Sequence, residues 1–161
     1  MENLQIIKNK IVSQNDLQKR LGQWRSQGMR IVFTNGCFDI VHRGHVEYLS
    51  KASDKGDVLV VGLNTDASVR RLKGASRPVN DEVARALLLA SMIVVDAVVL
   101  FDEDTPYHLI KAVRPDILVK GADYQPENIV GYDVVTSYGG QVEVVDLVEG
   151  YSTTSILNHP I

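Results

Sequence analysis

Two histidines three residues apart, His42 and His45, bracket Gly44 in the stretch FTNGCFDIVHRGH, residues 33–45. An apolar run, RIVF, comes just before it. GHVEYLSKASDK comes just after, with Val46, Leu49 and Ala52 at helical spacing. A helix start carries free N–H groups and partial positive charge, which makes it a ready anion site. Gly44 lets a phosphate approach the backbone without a Cβ in the way. A neutral imidazole still donates one N–H. The plainer reading makes one histidine a helix cap and the other a core residue. The pairing around a glycine directly after a strand favours phosphate binding. A metal site fits less well, because helical histidine ligands stand four apart with a third ligand nearby. No metal ligand is assigned.

Other residues compete for chemical roles. Lys120 follows DILV directly, and Asp123 and Tyr124 follow a Gly-Ala turn. Asp123 could accept ribose hydroxyls, or simply make an Asx turn. EGYSTTSIL reads as a turn at Gly150 with Ser152 or Thr153 capping a helix. Those hydroxyls can also reach phosphates, so the two readings are compatible. Arg85 falls one turn into a helix starting near Asn80, where solvation or pairing with Asp81 or Glu82 is expected. The carboxylates of FDEDTP read as loop and capping groups. RRLKG, residues 70–74, is a basic helix end that could also guard a site mouth. His108 and His159 have no companions and read as surface residues. Cys37 reads as a small, half-buried loop residue.

Alternating elements must position these groups. QNDLQKRLGQWRSQ places Leu17, Leu21 and Trp24 on one helical face, and Gly28 ends it. RIVFTN and DVLVVGLN read as strands flanking the helix that starts near Gly44. NTDASVRRLK and NDEVARALLLASM are helical, DAVVLF is a strand, and TPYHLIKAV is a helix with Pro106 at its first position. PDILVKG and QVEVVDL are further strands. The expected fold class is α/β, a doubly wound, mostly parallel sheet of Rossmann-like type. The expected organisation is a single domain over 1–161, with 1–28 as an N-terminal helical extension. Ligands of open α/β sheets sit beyond the carboxyl ends of the strands. TNGCFDIVHRGH, KGADYQ and EGYSTTS all fall there.

The bulk properties exclude several classes. The 161 residues are 45% hydrophobic and 23% charged, with formal net charge −3. That charge speaks against a nucleic-acid footprint. No run approaches the roughly 18 apolar residues of a membrane span. The N-terminal MENLQIIKNKIVSQ is too polar for a signal peptide. The single cysteine excludes an internal disulfide and fits a cytoplasmic protein. Neither G-x-G-x-x-G nor G-x-x-x-x-G-K-[ST] occurs, which disfavours dinucleotide oxidoreductases and P-loop NTPases.

GCFDIVHRGH resembles the H-x-G-H signature of the cytidylyltransferase-like nucleotidyltransferases, and GYSTTSI is similar to their serine/threonine signature. The resemblance runs from Arg30 to Leu157. FTNGCFDIVHRGHVEYL, VGLNTDASVRRLKG, RPVN, EDTP, PDILVKGADY and EGYSTTSI carry a closer likeness to the heptose 1-phosphate adenylyltransferases of ADP-heptose synthesis. That resemblance implies transfer of AMP from ATP to D-glycero-β-D-manno-heptose 1-phosphate with Mg²⁺ held mainly by ATP phosphates. Pyrophosphate is the second product, and the ADP-heptose feeds lipopolysaccharide core synthesis. It implies His42 and His45 on the ATP phosphates. Asn35, Gly36, Cys37 and Phe38 would line the nucleotide loop with Gly44, and Asp39 would face the acceptor. Lys120, Gly121, Asp123 and Tyr124 would hold adenosine, and Ser152, Thr153 and Thr154 the distal phosphates. Asn64, Asp66 and Arg85 would lie near the sugar phosphate or the mouth.

The resemblance also implies a homodimer and, because many relatives are fused to a sugar kinase that this chain has no room for, a separate kinase upstream. Two departures stand out: Ala122 where glycine is common, and Leu147 where related cytidylyltransferases carry arginine. Alternatives are transfer to another phosphorylated acceptor, such as glycerol 3-phosphate or FMN, and a non-catalytic nucleotide-binding module.

Overall fold

A computed structural model describes residues 1–159. The elements run α1 (Asn3–Lys8), α2 (Gln14–Ser26), β1 (Ile31–Gly36), α3 (Arg43–Ser53), β2 (Val58–Asn64), α4 (Asp66–Lys73), α5 (Glu82–Ala90) and β3 (Ala97–Phe101). There follow α6 (Tyr107–Val113), β4 (Ile117–Gly121), a 3₁₀ turn (Pro126–Asn128), α7 (Tyr132–Ser137), β5 (Gln141–Val145) and α8 (Thr153–Leu157). The five strands form one sheet in the order β3-β2-β1-β4-β5, and every pairing is parallel. The order reverses between β1 and β4, which is where such sheets open a ligand crevice.

Strand residues alternate between two cores. Val32, Leu59, Val61, Val98 and Val119 meet Leu49 and Ala52 of α3 and Leu89 of α5 on one face. Ile31, Phe33, Val60, Val99 and Leu118 meet Leu17 and Leu21 of α2 and Ile110 of α6 on the other. The strands are apolar on both faces because both are covered, as parallel sheets require. Among the described residues no helix is long and apolar enough to cross a membrane.

Three aspartates pin the amino ends of the strands. Asp57, Asp96 and Asp116 immediately precede β2, β3 and β4. Their carboxylates accept the backbone N–H of Arg30, Leu59 and Ile31, each at 2.7 Å. Each fixes one strand's start against its neighbour, which sets the register.

Some expectations change. The first 28 residues are built into the fold. Residues 10–12 run along the outer edge of β3, where Val98 N–H donates to the Lys10 carbonyl at 2.8 Å and Val12 N–H to the Val98 carbonyl at 2.9 Å. Leu17 and Leu21 are fully buried, and Trp24 packs against the same core. Pro106 sits at the N-cap of α6 rather than at its first helical position. The segment PENIVGYDVVTS contains a 3₁₀ turn and α7, neither foreseen from the sequence. Both elements are too short to show a helical repeat.

Candidate active site

The carboxyl ends of the strands open on a cleft of about 550 Å³. The loop after β1 forms its floor. Phe38 adopts a left-handed backbone, φ 45°, and tucks its ring beneath Gly36. A Cβ on Gly36 would come within 2.9 Å of that ring. Phe38 also meets His45 edge-on, with centroids 5.1 Å apart. This packing buries much of the His45 imidazole.

The two histidines cap α3 reciprocally. His42 is the N-cap, and its Nδ1 accepts the Gly44 N–H at 3.0 Å. His45 Nδ1 accepts the His42 N–H at 3.3 Å. The rings stack 3.9 Å apart. With each Nδ1 acting as acceptor, the ring proton resides on Nε2. Both histidines thus cap the helix, where the plainer reading has one cap and one core residue, and both line the cleft. One detail differs from expectation, since the Gly44 amide is already bonded to His42 and is not a free donor. Gly44 itself is required by space: a Cβ there would lie 2.8 Å from His42 Cε1.

Both imidazoles are held neutral. Burial lowers the pKa of His45 from 6.5 to about 4, with the nearby His42 adding to the shift and the Ile40 carbonyl opposing it. Burial also lowers His42. At neutral pH each ring therefore offers a single N–H. There is a consequence for stability. Between pH 6.5 and about 4 the unfolded chain binds a proton at His45 and the folded chain does not. Thermal midpoints should accordingly rise as pH is raised from 4 towards 6.5, and His45→Gln should flatten that segment. A nitrogen-15 titration of the His45 ring giving an ordinary pKa would contradict this.

Asp39 is almost fully buried, with its carboxylate consumed by structure. It accepts from Arg77 Nε at 2.6 Å, Val79 N–H at 2.8 Å and Asn80 N–H at 3.0 Å. Burial pushes its pKa up, but the Asn80, Arg77 and Val79 hydrogen bonds together outweigh that and hold it below the usual range. Arg77, which sequence reasoning did not single out, thereby comes to line the cleft.

Across the cleft, Lys120 Nζ donates to the Asn35 carbonyl at 3.3 Å and lies 5.8 Å from the Tyr124 ring centroid. Burial lowers its pKa, against the opposing pull of Cys37 and Asp123. Burial raises the Cys37 thiol, against Lys73, Arg85 and other cations. The turn after β4 closes through Tyr124 N–H to the Gly121 carbonyl at 3.2 Å. Among the described residues the Asp123 carboxylate has no hydrogen-bond partner, so the turn is not an Asx turn. Asp123 Oδ1 and Leu147 fold over Gly121, where an added Cβ would lie 2.9 Å from the one and 3.0 Å from the other. Ser152 caps α8, its Oγ accepting the Ser155 N–H at 3.0 Å.

The cleft thus gathers Asn35 to Asp39, His42, Gly44, His45, Asn64, Lys120, Gly121, Asp123, Tyr124 and Ser152 to Thr154. Asp66 and Arg85 are not among its lining residues. Arg85 is fully buried and its partners differ from those expected. It donates to the carbonyls of Cys37, Asn64 and Asn80 and to the Asp66 carboxylate, the last at 2.7 Å. Asp81 instead caps α5 and Glu82 accepts the Asp66 N–H. Tyr48, Lys73 and Tyr151 also line the cleft, and of these Tyr48 and Tyr151 are not singled out by the sequence. Lys73 belongs to the basic helix end already noted, whereas Tyr48 reads as an ordinary amphipathic-helix residue. Among the described residues no three His, Cys, Asp or Glu side chains gather as a metal site.

Known proteins resemble this chain in sequence and fold. Residues 33–157 match the cytidylyltransferase-like family. The bifunctional protein HldE of Azorhizobium caulinodans is 58% identical over 147 residues, covering 91% of this chain and 31% of that protein. HldE of Syntrophotalea carbinolica is 58% identical over 149 residues, covering 92% and 30%. The chain spans about a third of the length of these relatives. The lipopolysaccharide core biosynthesis protein of Thermoplasma volcanium superposes with a TM-score of 0.61 at 30% identity, over 78% of this chain and all of that one. A pantoate–β-alanine ligase of Francisella tularensis shares the fold, with a TM-score of 0.62 at 16% identity, over 91% of this chain and 75% of that one. The matched span begins in β1 and ends in α8, and so contains the stacked histidines, the β4 turn and the Ser152 cap: the chain belongs to the cytidylyltransferase-like family.

Proposed function

We propose that this chain is a single nucleotidyltransferase domain that moves AMP from ATP to D-glycero-β-D-manno-heptose 1-phosphate, giving ADP-heptose and pyrophosphate. The carrying observation is the neutral, stacked His42–His45 pair at the start of α3, opening on a cleft large enough for a nucleotide. The high identity to HldE proteins over nearly the whole chain supports the choice of nucleotide and sugar. The name of the Thermoplasma relative supports lipopolysaccharide core as the destination.

A sugar phosphate is already ionised at neutral pH. Its oxygen attacks the α-phosphorus as the bond to the β-phosphate oxygen breaks, and no strong general base is needed. Catalysis then rests on alignment and on donors placed for developing charge. His42 and His45 supply Nε2–H groups to the phosphates. Lys120 supplies a half-buried cation beside the nucleotide. Ser152, Thr153 and Thr154 supply hydroxyls to the leaving pyrophosphate. Asp123, unpartnered beside Gly121, takes the ribose hydroxyls. Asn35, Gly36, Cys37 and Phe38 shape the floor. Asp39 faces the acceptor side through Arg77, which it orients, and Asn64 lies nearby. Asp66 and Arg85 act from behind the cleft by fixing its loop.

Mg²⁺ fits this donor set as an ion carried by the triphosphate. Asp39 is consumed by Arg77 and two amides, and Asp104 pairs with Arg71 at 2.9 Å. Bound there, the ion neutralises phosphate charge. The chain would work in the cytoplasm as a homodimer, on a sugar 1-phosphate supplied by a sugar kinase activity.

Pyrophosphate release measured with each nucleoside triphosphate against a panel of phosphorylated acceptors tests this reading. Turnover confined to ATP and a heptose 1-phosphate is expected. Turnover with glycerol 3-phosphate or FMN would reassign the acceptor, and binding without release would make the chain a binding module. Asp123→Ala should weaken ATP binding roughly tenfold, the scale of a lost hydrogen bond to a charged group, while the fold is kept. An unchanged ATP titration would remove Asp123 from the site.

A further inference from the structure

β1 and β4 meet where the strand order reverses, and their ladder is short. β1 pairs with β2 over six residues but with β4 over two, Val32 with Ile117 and Phe33 with Leu118. The same register, continued, would set Thr34 against Val119 and Asn35 against Lys120. At both rungs side chains span the gap instead. Thr34 Oγ1 donates to the Val119 carbonyl at 3.0 Å, and the Tyr48 hydroxyl reaches the same carbonyl at 3.1 Å. The two hydroxyls lie 2.8 Å apart, so the three oxygens form a closed triangle. On the next rung, Lys120 Nζ donates to the Asn35 carbonyl, while Asn35 Oδ1 is buried without a partner.

We propose that Thr34 and Tyr48 are positioning residues that prop β1 and β4 apart and so hold the cleft in the shape that admits a nucleoside triphosphate. This rests on the nucleotide reading above. A buried carbonyl must find a donor. With the two hydroxyls in place, Val119 is satisfied in the splayed arrangement. Without them the nearest donors lie across the gap on β1, and closing it narrows the cleft. Thr34 is fully buried and Tyr48 is 7% exposed, so water is a poor substitute. Burial raises the Tyr48 phenol to about 12, which keeps it protonated and able to donate.

The same triangle joins the two halves of the site. Tyr48 lies one turn after His45 on α3, the helix that presents the phosphate-binding pair. Val119 immediately precedes Lys120, where the adenosine-binding turn begins. The Tyr48–Val119 bond therefore sets the spacing between phosphate and base. A strand pair that closes without it leaves a smaller fraction of the protein ready to bind, which weakens apparent affinity by that fraction.

The test uses Tyr48→Phe, Thr34→Val, their combination and Thr34→Ser. ATP affinity is measured by calorimetry without acceptor, alongside steady-state kinetics and thermal midpoints. Each single variant should raise the ATP Kd about five- to tenfold, with kcat at saturating ATP and the acceptor KM nearly unchanged. The double variant should exceed the product of the singles, because each single leaves one hydroxyl on the Val119 carbonyl and only the double leaves it without a donor. Thr34→Ser should restore wild-type affinity. A lowered thermal midpoint with unchanged ATP Kd in Tyr48→Phe and Thr34→Val would make the triangle merely structural and overturn the proposal. If the wild-type chain binds no nucleoside triphosphate, the nucleotide reading fails and the proposal with it.

Discussion

Replacing His45 by alanine should lower kcat by about 10²–10³, with a much smaller loss of ATP affinity. The ring is pre-oriented on three sides: Phe38 meets it edge-on, His42 stacks on it, and its Nδ1 is tied to the His42 amide. An N–H held this way needs no reorganisation as charge develops on the phosphates. Because the ring is neutral, its effect comes from a directed hydrogen bond and not from a net charge. His45→Gln should therefore recover part of the rate, since its amide can donate from a similar reach, whereas an added cation such as imidazolium should not be needed. Alanine also leaves the His42 N–H unpaired at the helix start, so the thermal midpoint should fall modestly. Rate and affinity must be measured on protein shown to be folded. Near-normal turnover in His45→Ala would remove the histidine pair from the chemistry.

Arg85→Met should destabilise the fold by about 3 kcal/mol or more, measured by urea denaturation. The guanidinium is fully buried and joins four segments: the β1 loop through Cys37, the end of β2 through Asn64, the start of α4 through Asp66, and the loop before α5 through Asn80. Methionine fills much of the volume but leaves those carbonyls without a donor and Asp66 without its partner. Lysine should rescue poorly, because one ammonium cannot supply a planar fork to four acceptors. A loss under about 1 kcal/mol would mean that the network relaxes onto water and that Arg85 matters less than its burial implies.

The sequence reveals the frame of the fold because parallel strands covered on both faces leave long apolar runs, and caps and turns mark where the runs stop. That β1, β4 and β5 all end on one edge follows from the alternation of parallel strands with helices, so the three clusters could be brought together before any coordinates. Legibility ends where a side chain acts through distant backbone. Arg85 looks like any helix arginine, because its acceptors are carbonyls that no residue type announces. Asp39 offers itself as an acceptor-facing carboxylate, but the amides of Val79 and Asn80, forty residues on, take it. Tyr48 sits at a plain helical core spacing, and only the shortened β1–β4 ladder shows what its hydroxyl meets. The capping roles of His42 and Ser152 were readable because capping is local in sequence.

Asp57, Asp96 and Asp116 lock the strands at the end of the sheet farthest from the cleft. The starts of β1 to β4 are thus aligned where no substrate comes. Rim loops outside the Asp39 and Arg85 networks can then change length and composition without moving those strand starts. A lineage built on this frame can exchange one acceptor for another by small edits at the rim, while inheriting its architecture intact.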